Sequence, residues 1–103
     1  MFENLNPLLL SQPRLSIMSF LKKNREADFK IIKEQTGISA GNLSIQLNNL
    51  KNADYIEIIK QFKGNYPLTI CRITSLGSNV IDDFFKAIKS YEQNADEIQT
   101  LPL

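Results

Sequence analysis

The sequence predicts a mainly α fold with a small β-hairpin, an α+β class, from three observations. Glycines and prolines divide the chain into short segments in which apolar residues recur at helical spacing. One pair of isoleucine-rich segments, separated by a polar turn at Gly64, has the composition of two strands. A long amphipathic segment follows them. The predicted order is therefore three helices, a hairpin and a long last helix.

The composition is that of one folded domain spanning residues 1–103. The chain has 103 residues, of which 43% are hydrophobic and 22% charged, so it can bury one core. Its longest apolar clusters, such as Leu8–Leu10 and Tyr55–Ile59, are far shorter than a membrane span. The N-terminus lacks the early basic residues of a secretory signal, and Pro13 interrupts its apolar run. These features predict a cytoplasmic protein without a membrane partner.

The sequence predicts no catalysis, metal or cofactor. Cys71 is the only cysteine and the chain contains no histidine, which argues against a disulfide within the chain and against a typical zinc site. No phosphate-binding loop or constellation of carboxylates is present, and the commonest catalytic base is missing. We therefore expect a protein without enzymatic activity, in which Cys71 is a buried, inert thiol.

Two helices are predicted in the first third of the chain. Pro13 occupies the first turn of a helix whose apolar face ends before the polar run 22–25. The apolar positions of this helix are Leu15, Ile17, Met18 and Leu21. Asp28 caps a second, short helix, which buries Ile32 and stops at Gly37, where a left-handed residue is favoured.

A third helix is predicted to begin at Ser39, which can cap it. Its apolar stripe, with steps of four and three residues, consists of Leu43, Leu47 and Leu50. Only Gly37 and Ile38 separate it from the second helix, which requires a sharp turn between the two helices.

The strands of the hairpin are predicted at Tyr55–Phe62 and Leu68–Thr74. Both segments are rich in β-branched and other apolar residues. Residues 63–67 between them are polar or turn-forming and predict the tip.

The last helix is predicted over residues 75–98, followed by a tail at 99–103. Thr74 or Ser75 can cap its first turn. Its apolar positions alternate steps of three and four and approximate a heptad seam. They are Ile81, Phe84, Ile88, Tyr91, Ala95 and Ile98.

This order of elements is that of a winged helix-turn-helix, in which residues 13–74 form the trihelical unit and wing. The run TGISAGNLSIQLNNLKNADYI at 36–56 resembles the turn, recognition helix and start of the wing in MarR-like and ArsR-like winged-helix regulators. The segments 14–17 and 72–77 resemble the family's first helix and its passage from wing to last helix. The resemblance extends from Pro13 to Tyr91. It implies a transcriptional regulator that binds double-stranded DNA as a homodimer.

The recognition helix, 39–52, carries polar and small residues opposite its leucine stripe. We predict that Asn42, Asn48 and Ile45 meet base edges in the major groove, that Ser39 and Ser44 contact phosphates, and that Gly41 permits close approach to the backbone. The predicted DNA-contacting residues on this helix are Ser39, Gly41, Asn42, Ser44, Ile45, Asn48 and Asn49. An alternative for Ile45 is packing against a neighbouring helix.

The sequence departs from the family pattern in two respects. No Lys or Arg lies between Ser39 and Leu50, where many relatives have at least one. Asp54 stands where relatives usually have a glycine that ends the recognition helix; aspartate tolerates a left-handed backbone less well than glycine. We expect the fold to tolerate this aspartate.

The wing, 60–72, is predicted to lie along a phosphate backbone or in the minor groove. Its candidate contacts are Lys60, Lys63, Asn65, Tyr66 and Arg72, with Lys63 the foremost. The charge distribution agrees with this placement. Residues 21–72 carry nine Lys and Arg against five Asp and Glu, whereas residues 73–103 carry two against five.

The last helix is predicted to pair with its copy across a twofold axis, because its apolar face exceeds what a short domain needs for its own core. The predicted interface residues are Leu8, Leu9, Ile81, Phe84, Phe85, Ile88 and Tyr91. The alternative is a helix folded back on its own domain.

Two other functions stay open at this stage. The asparagine-rich face and wing can serve protein association without DNA; phosphate binding weakens steeply with salt, whereas an apolar interface does not. The protein can also respond to a small-molecule effector in a pocket between the last helix and the winged body, although the sequence identifies no such ligand.

Overall fold

A computed structural model describes residues 2–98, with side chains for residues 2–95, and confirms the predicted α+β class. Within that part of the chain, the structure has four α-helices and a three-stranded antiparallel sheet. The helices are α1 (Gln12–Asn24), α2 (Phe29–Thr36), α3 (Ala40–Asn52) and α4 (Ser75–Ile98). The strands are β1 (Glu26–Asp28), β2 (Ile56–Lys63) and β3 (Tyr66–Ile73). The predicted tail, 99–103, lies outside the described residues.

The N-terminal segment forms a short 3₁₀ turn at Pro7–Leu9 that the sequence analysis did not predict. The Asn6 side chain accepts a hydrogen bond from the Leu8 amide at 3.0 Å and so closes the turn. Helix α1 begins at Gln12 because Ser11 caps it, one residue before the predicted start at Pro13. Pro13 lies in the first turn, as predicted.

The predicted caps of α2 and α3 are confirmed. The Asp28 carboxylate accepts from the Ile31 amide at 2.8 Å, and Gly37 ends α2 with φ of +72°. Ser39 accepts from the Asn42 amide at 3.4 Å and starts α3. These caps end α2 and begin α3 within four residues, which requires a sharp turn between the two helices.

The sheet has the order β1-β3-β2 and therefore one strand more than the predicted hairpin. Strand β1 pairs with β3 in the register Glu26 with Arg72 and Asp28 with Ile70. Its three residues, EAD, have neither the length nor the composition that indicates a strand, so only the tertiary pairing defines it. The hairpin turn is also tighter than predicted, since it consists of Gly64, with φ of +63°, and Asn65 alone.

The core lies between α1, α2, α3, the first half of α4 and one face of the sheet. Its buried side chains include Ile17, Met18, Leu21, Ile32, Leu43, Leu47, Leu50, Ile56, Cys71 and Ile73. Leu9, Ile81 and Phe84 are buried in this core as well. These three side chains were predicted to meet a partner chain, but they are already covered within their own chain. The predicted interface is accordingly reduced to Leu8, Phe85, Ile88 and Tyr91.

Cys71 provides a test of the core. Its side chain is fully buried, and this burial raises the pKa of the thiol to about 11, while the Lys60 charge opposes the rise. At pH 8 only about one thiol in a thousand is then ionised. We expect negligible alkylation by iodoacetamide in the folded protein at pH 8 and rapid alkylation in denaturant, measured by mass spectrometry. Comparable rates in the two states would contradict the buried position.

Helix α4 starts at Ser75 and is capped by Thr74, one of the two predicted caps. The Thr74 hydroxyl accepts from the Gly77 amide at 2.9 Å and donates to the Asp54 carbonyl at 2.7 Å. The Thr74 amide donates to the Tyr55 carbonyl at 3.0 Å. These hydrogen bonds connect the start of α4 to residues 54 and 55, which follow α3. No helix among residues 2–98 is long and apolar enough to cross a membrane.

Candidate nucleic-acid interface

Helix α3 divides into a buried apolar face and an exposed polar face. The stripe of Leu43, Leu47 and Leu50 packs in the core. Every predicted DNA-contacting residue of this helix is exposed: Ser39, Gly41, Asn42, Ser44, Ile45, Asn48 and Asn49. Ile45 is 60% exposed, so it does not pack against a neighbouring helix within the chain. The helix therefore presents a continuous surface of amides, hydroxyls and one aliphatic side chain.

The amides of this surface are connected through Gln46, which the sequence analysis did not single out. Gln46 Nε2 donates to Asn42 Oδ1 at 3.0 Å, and Asn49 Nδ2 donates to Gln46 Oε1 at 3.5 Å. Arg14 Nη1 donates to the same Gln46 oxygen at 2.7 Å. The position of Gln46, four residues after Asn42 and three before Asn49, is the sequence signal that predicts these contacts.

Ser39 and Gly41 begin the exposed face at the helix N-terminus. The Ser39 oxygen caps the helix, which leaves its hydroxyl hydrogen able to donate. A Cβ added at Gly41 would meet no atom of the chain within 4 Å. The open space at Gly41 is therefore available to a ligand.

An open cleft of about 360 Å³ joins the recognition helix to the wing. Ser44 and Asn48 line it from α3, and Lys60 lines it from β2. Lys51, which the sequence analysis did not include, borders the same cleft from the last turn of α3. Two ammonium groups thus flank the polar face and supply positive charge that α3 lacks between residues 39 and 50.

The wing tip carries Lys63, Asn65 and Tyr66, as predicted, and a further aromatic residue, Phe62. Tyr66 is 78% exposed and Phe62 is 76% exposed. Phe62 pairs with Pro67 and Lys63 pairs with Tyr66 across the hairpin, which puts the two aromatic rings on opposite faces of it. The wing tip therefore exposes one aromatic ring on each of its faces.

Arg72, the remaining predicted wing contact, lies apart from the residues of the wing tip. It lies at the base of the wing, where it pairs with Glu57 of β2 and Glu26 of β1 in the sheet register. Its guanidinium Nε donates to the Glu26 carboxylate at 2.9 Å. Arg72 lies six residues along β3 from Tyr66, the register partner of Lys63, so it is distant from the wing tip.

The chain matches, over residues 14–91, the family described as the winged helix DNA-binding domain. The chain belongs to this family. By family and fold it is a DNA-binding transcriptional regulator, a class whose members are generally not enzymes. The predicted resemblance to MarR-like winged-helix regulators is confirmed. The comparison with curated proteins gives no match.

Several solved structures share this winged-helix fold. A transcriptional regulator homologue from Pyrococcus horikoshii OT3 has a TM-score of 0.82 and 26% identity, with 88% of this chain and 90% of that one covered. Overoxidised AbfR bound to DNA has a TM-score of 0.70 and 17% identity, covering 90% and 74% of the two chains. NadR in complex with 4-hydroxyphenylacetate has a TM-score of 0.69 and 18% identity, covering 90% and 68%.

The remaining predicted interface residues, which are Leu8 and three residues of α4, have different surroundings. Phe85 and Ile88 are 46% and 43% exposed. Tyr91 is partly covered by the N-terminal segment of its own chain, because its hydroxyl donates to the Glu3 carbonyl at 2.8 Å and its ring lies 5.0 Å from that of Phe2. Leu8 is half-buried against the core. Phe85 and Ile88 are therefore the open part of this face.

Proposed function

We propose that this protein regulates transcription by binding double-stranded DNA sequence-specifically as a homodimer in the cytoplasm. The observation that carries the proposal is the exposed amide face of α3, which adjoins a lysine-flanked cleft at the wing. The major groove, about 12 Å wide, admits a helix. The proposal treats the whole chain, 1–103, as one unit without enzymatic activity.

In this proposal, α3 contacts bases and the wing contacts the backbone. Asn42, Asn48 and Ile45 meet base edges, because amides pair with base donors and acceptors and an aliphatic group packs against a thymine methyl. Lys60 and Lys63 neutralise phosphates. Because they are three residues apart on β2, they project from opposite faces of the hairpin and contact different phosphates. Arg72 is left out, since Glu26 neutralises it.

The homodimer forms through the exposed side of α4. Phe85 and Ile88 are three residues apart and so lie on the same side of the helix. Their pairing with the same residues of a second copy buries both side chains around a twofold axis. Two recognition helices related by this axis then meet two half-sites, which predicts a palindromic operator.

An effector site is the least constrained part of the proposal. NadR binds 4-hydroxyphenylacetate. In the present chain, an open groove of about 440 Å³ lies between the N-terminal segment and α4, with Asn6, Val80 and Phe84 in its lining. Its volume is in the range of small-molecule sites. A ligand there would contact the helix that we propose for dimerisation.

The proposal is tested by selection of bound sequences from a random duplex library at low and moderate salt. We expect enrichment of a palindromic site. Asn48→Ala should relax the preference at one position in each half-site, with a loss of about tenfold in affinity. Lys63→Ala should weaken binding to all duplexes and reduce the salt dependence by about one ion.

Exposed residues of α4 provide the matched controls for these variants. Asn79→Ala and Lys86→Ala remove the same functional groups from exposed positions outside α3 and the wing, and should leave DNA binding unchanged. If the folded wild-type protein binds no duplex at either salt concentration, the proposal is wrong and protein association becomes the better interpretation of the exposed α3 face.

A further inference from the structure

The direction of the hydrogen bonds around Gln46 is fixed by Arg14. The Arg14 guanidinium has donors only. Its Nε donates to the Leu8 carbonyl, and its Nη1 donates to Gln46 Oε1 at 2.7 Å. The oxygen of the Gln46 amide must therefore face Arg14, and its nitrogen must face away. The usual ambiguity in the orientation of an amide side chain does not arise here.

The orientation of the Gln46 amide in turn fixes the orientation of the Asn42 amide. Gln46 Nε2, as a donor, requires an acceptor in Asn42 and meets its Oδ1 at 3.0 Å. The Asn42 amide group consequently turns its Nδ2 hydrogens away from Gln46. Because Asn42 is exposed at the second residue after the start of α3, these hydrogens are available to a ligand at the helix surface.

Asn49 has the opposite polarity. Its Nδ2 donates to Gln46 Oε1 at the longer distance of 3.5 Å, so its Oδ1 is the atom free to face outward. One glutamine thus gives two exposed asparagines opposite hydrogen-bonding characters. The hydrogen bond to Asn42 is the shorter of the two, so the orientation of Asn42 is fixed more strongly than that of Asn49.

We propose that Gln46, held by Arg14, is a positioning residue that determines which base the protein prefers. The inference rests on the proposed function. Asn42, with its hydrogens outward, favours base edges rich in acceptors, guanine N7 and O6 above all, over the cytosine edge with its N4 donor. Without Gln46, a free asparagine amide can rotate and accept either edge. Gln46 itself need not touch the DNA.

Gln46→Glu is expected to reverse the orientation of the Asn42 amide. The introduced carboxylate only accepts, so it keeps the contact with Arg14 but forces Asn42 to donate its Nδ2 hydrogens inward and to turn Oδ1 outward. The position contacted by Asn42 is first identified as the one that Asn42→Ala relaxes in the selected sequences. Wild-type protein should prefer guanine to cytosine there, and Gln46→Glu should prefer cytosine or adenine, with a change of about tenfold in the ratio.

Two variants of Arg14 separate positioning from general stability. Arg14→Lys keeps a donor-only group that can still donate to Gln46 Oε1 and should retain the wild-type base, whereas Arg14→Met frees the Gln46 amide and should relax the preference at that one position. The added negative charge of Gln46→Glu lowers affinity for all duplexes, so base identity rather than affinity is the decisive measurement. If Gln46→Glu and wild type select the same base, the role of Gln46 is refuted while the regulator proposal stands. If the wild type selects no site, both are refuted.

Discussion

Gly77→Ala is expected to lower the free energy of unfolding by about 3 kcal/mol. A Cβ at this position would overlap the Tyr55 carbonyl oxygen and lie 2.9 Å from the carbonyl carbon. The Tyr55 backbone cannot withdraw freely, because its oxygen also accepts from the Thr74 amide at 3.0 Å. The bond from Thr74 to the Asp54 carbonyl, 2.7 Å long, fixes the same segment. Denaturant unfolding followed by circular dichroism measures the loss.

Gly41→Ala is the matched control for this substitution. It introduces the same methyl group into a helix, but no atom of the chain lies within 4 Å of it. Its stability should be unchanged or higher by a few tenths of a kcal/mol, because alanine favours helix more than glycine does. Equal stabilities for the two variants would show that α4 does not approach Tyr55 as closely as described. Lower DNA affinity of Gly41→Ala, with normal stability, would support close approach of DNA at the start of α3.

Most of the helical architecture was predictable because its determinants are local. Asp28, Gly37 and Ser39 cap or end helices through contacts within a few residues, and each acts in the structure as the sequence indicates. Asp54, which replaces the family's usual glycine, does adopt a left-handed backbone with φ of +62°. The caps depend on neighbouring residues only, so composition and spacing are sufficient to identify them, whereas the special backbone position at Asp54 was indicated by the family resemblance.

The features missed by the sequence analysis depend on distant residues. Strand β1 exists because β3 is beside it, and the burial of Ile81 and Phe84 depends on how α4 crosses α1. The heptad-like spacing of α4 does not distinguish an apolar residue that faces its own core from one that faces a partner. In the structure, the first part of this seam is covered by the chain itself, and Phe85 and Ile88 are left exposed.

The candidate interface was predicted residue by residue but not as a network. The polar face of α3 follows from helical periodicity, which also identified its opposite leucine stripe. The contact of Arg14 with Gln46 joins residues 32 positions apart and needs the crossing of α1 and α3. Similarly, the ion pair between Arg72 and Glu26 requires β1. Charge and periodicity suggest which groups are available, whereas tertiary contacts decide how they are oriented.

Replacing both Phe85 and Ile88 with glutamate is expected to convert the proposed dimer into a monomer and to lower affinity for the palindromic site by about a hundredfold or more. Two carboxylates placed opposite two others in an apolar contact are desolvated and repel each other. The fold should survive, because both side chains are exposed in the single chain. Sedimentation equilibrium measures the mass, and binding to full and half sites measures the linked loss of affinity.

Lys86→Gln is the control for the change of charge on α4. It makes the net charge more negative by one at an exposed position about 100° around the helix from Phe85, and should leave both mass and affinity unchanged. A double glutamate variant that remains dimeric would place the interface elsewhere. A monomeric variant with undiminished affinity would instead mean that one recognition helix supplies the whole binding energy, and the operator would then have no need of twofold symmetry. The two measurements together therefore decide whether dimerisation through α4 and recognition through α3 belong to one function.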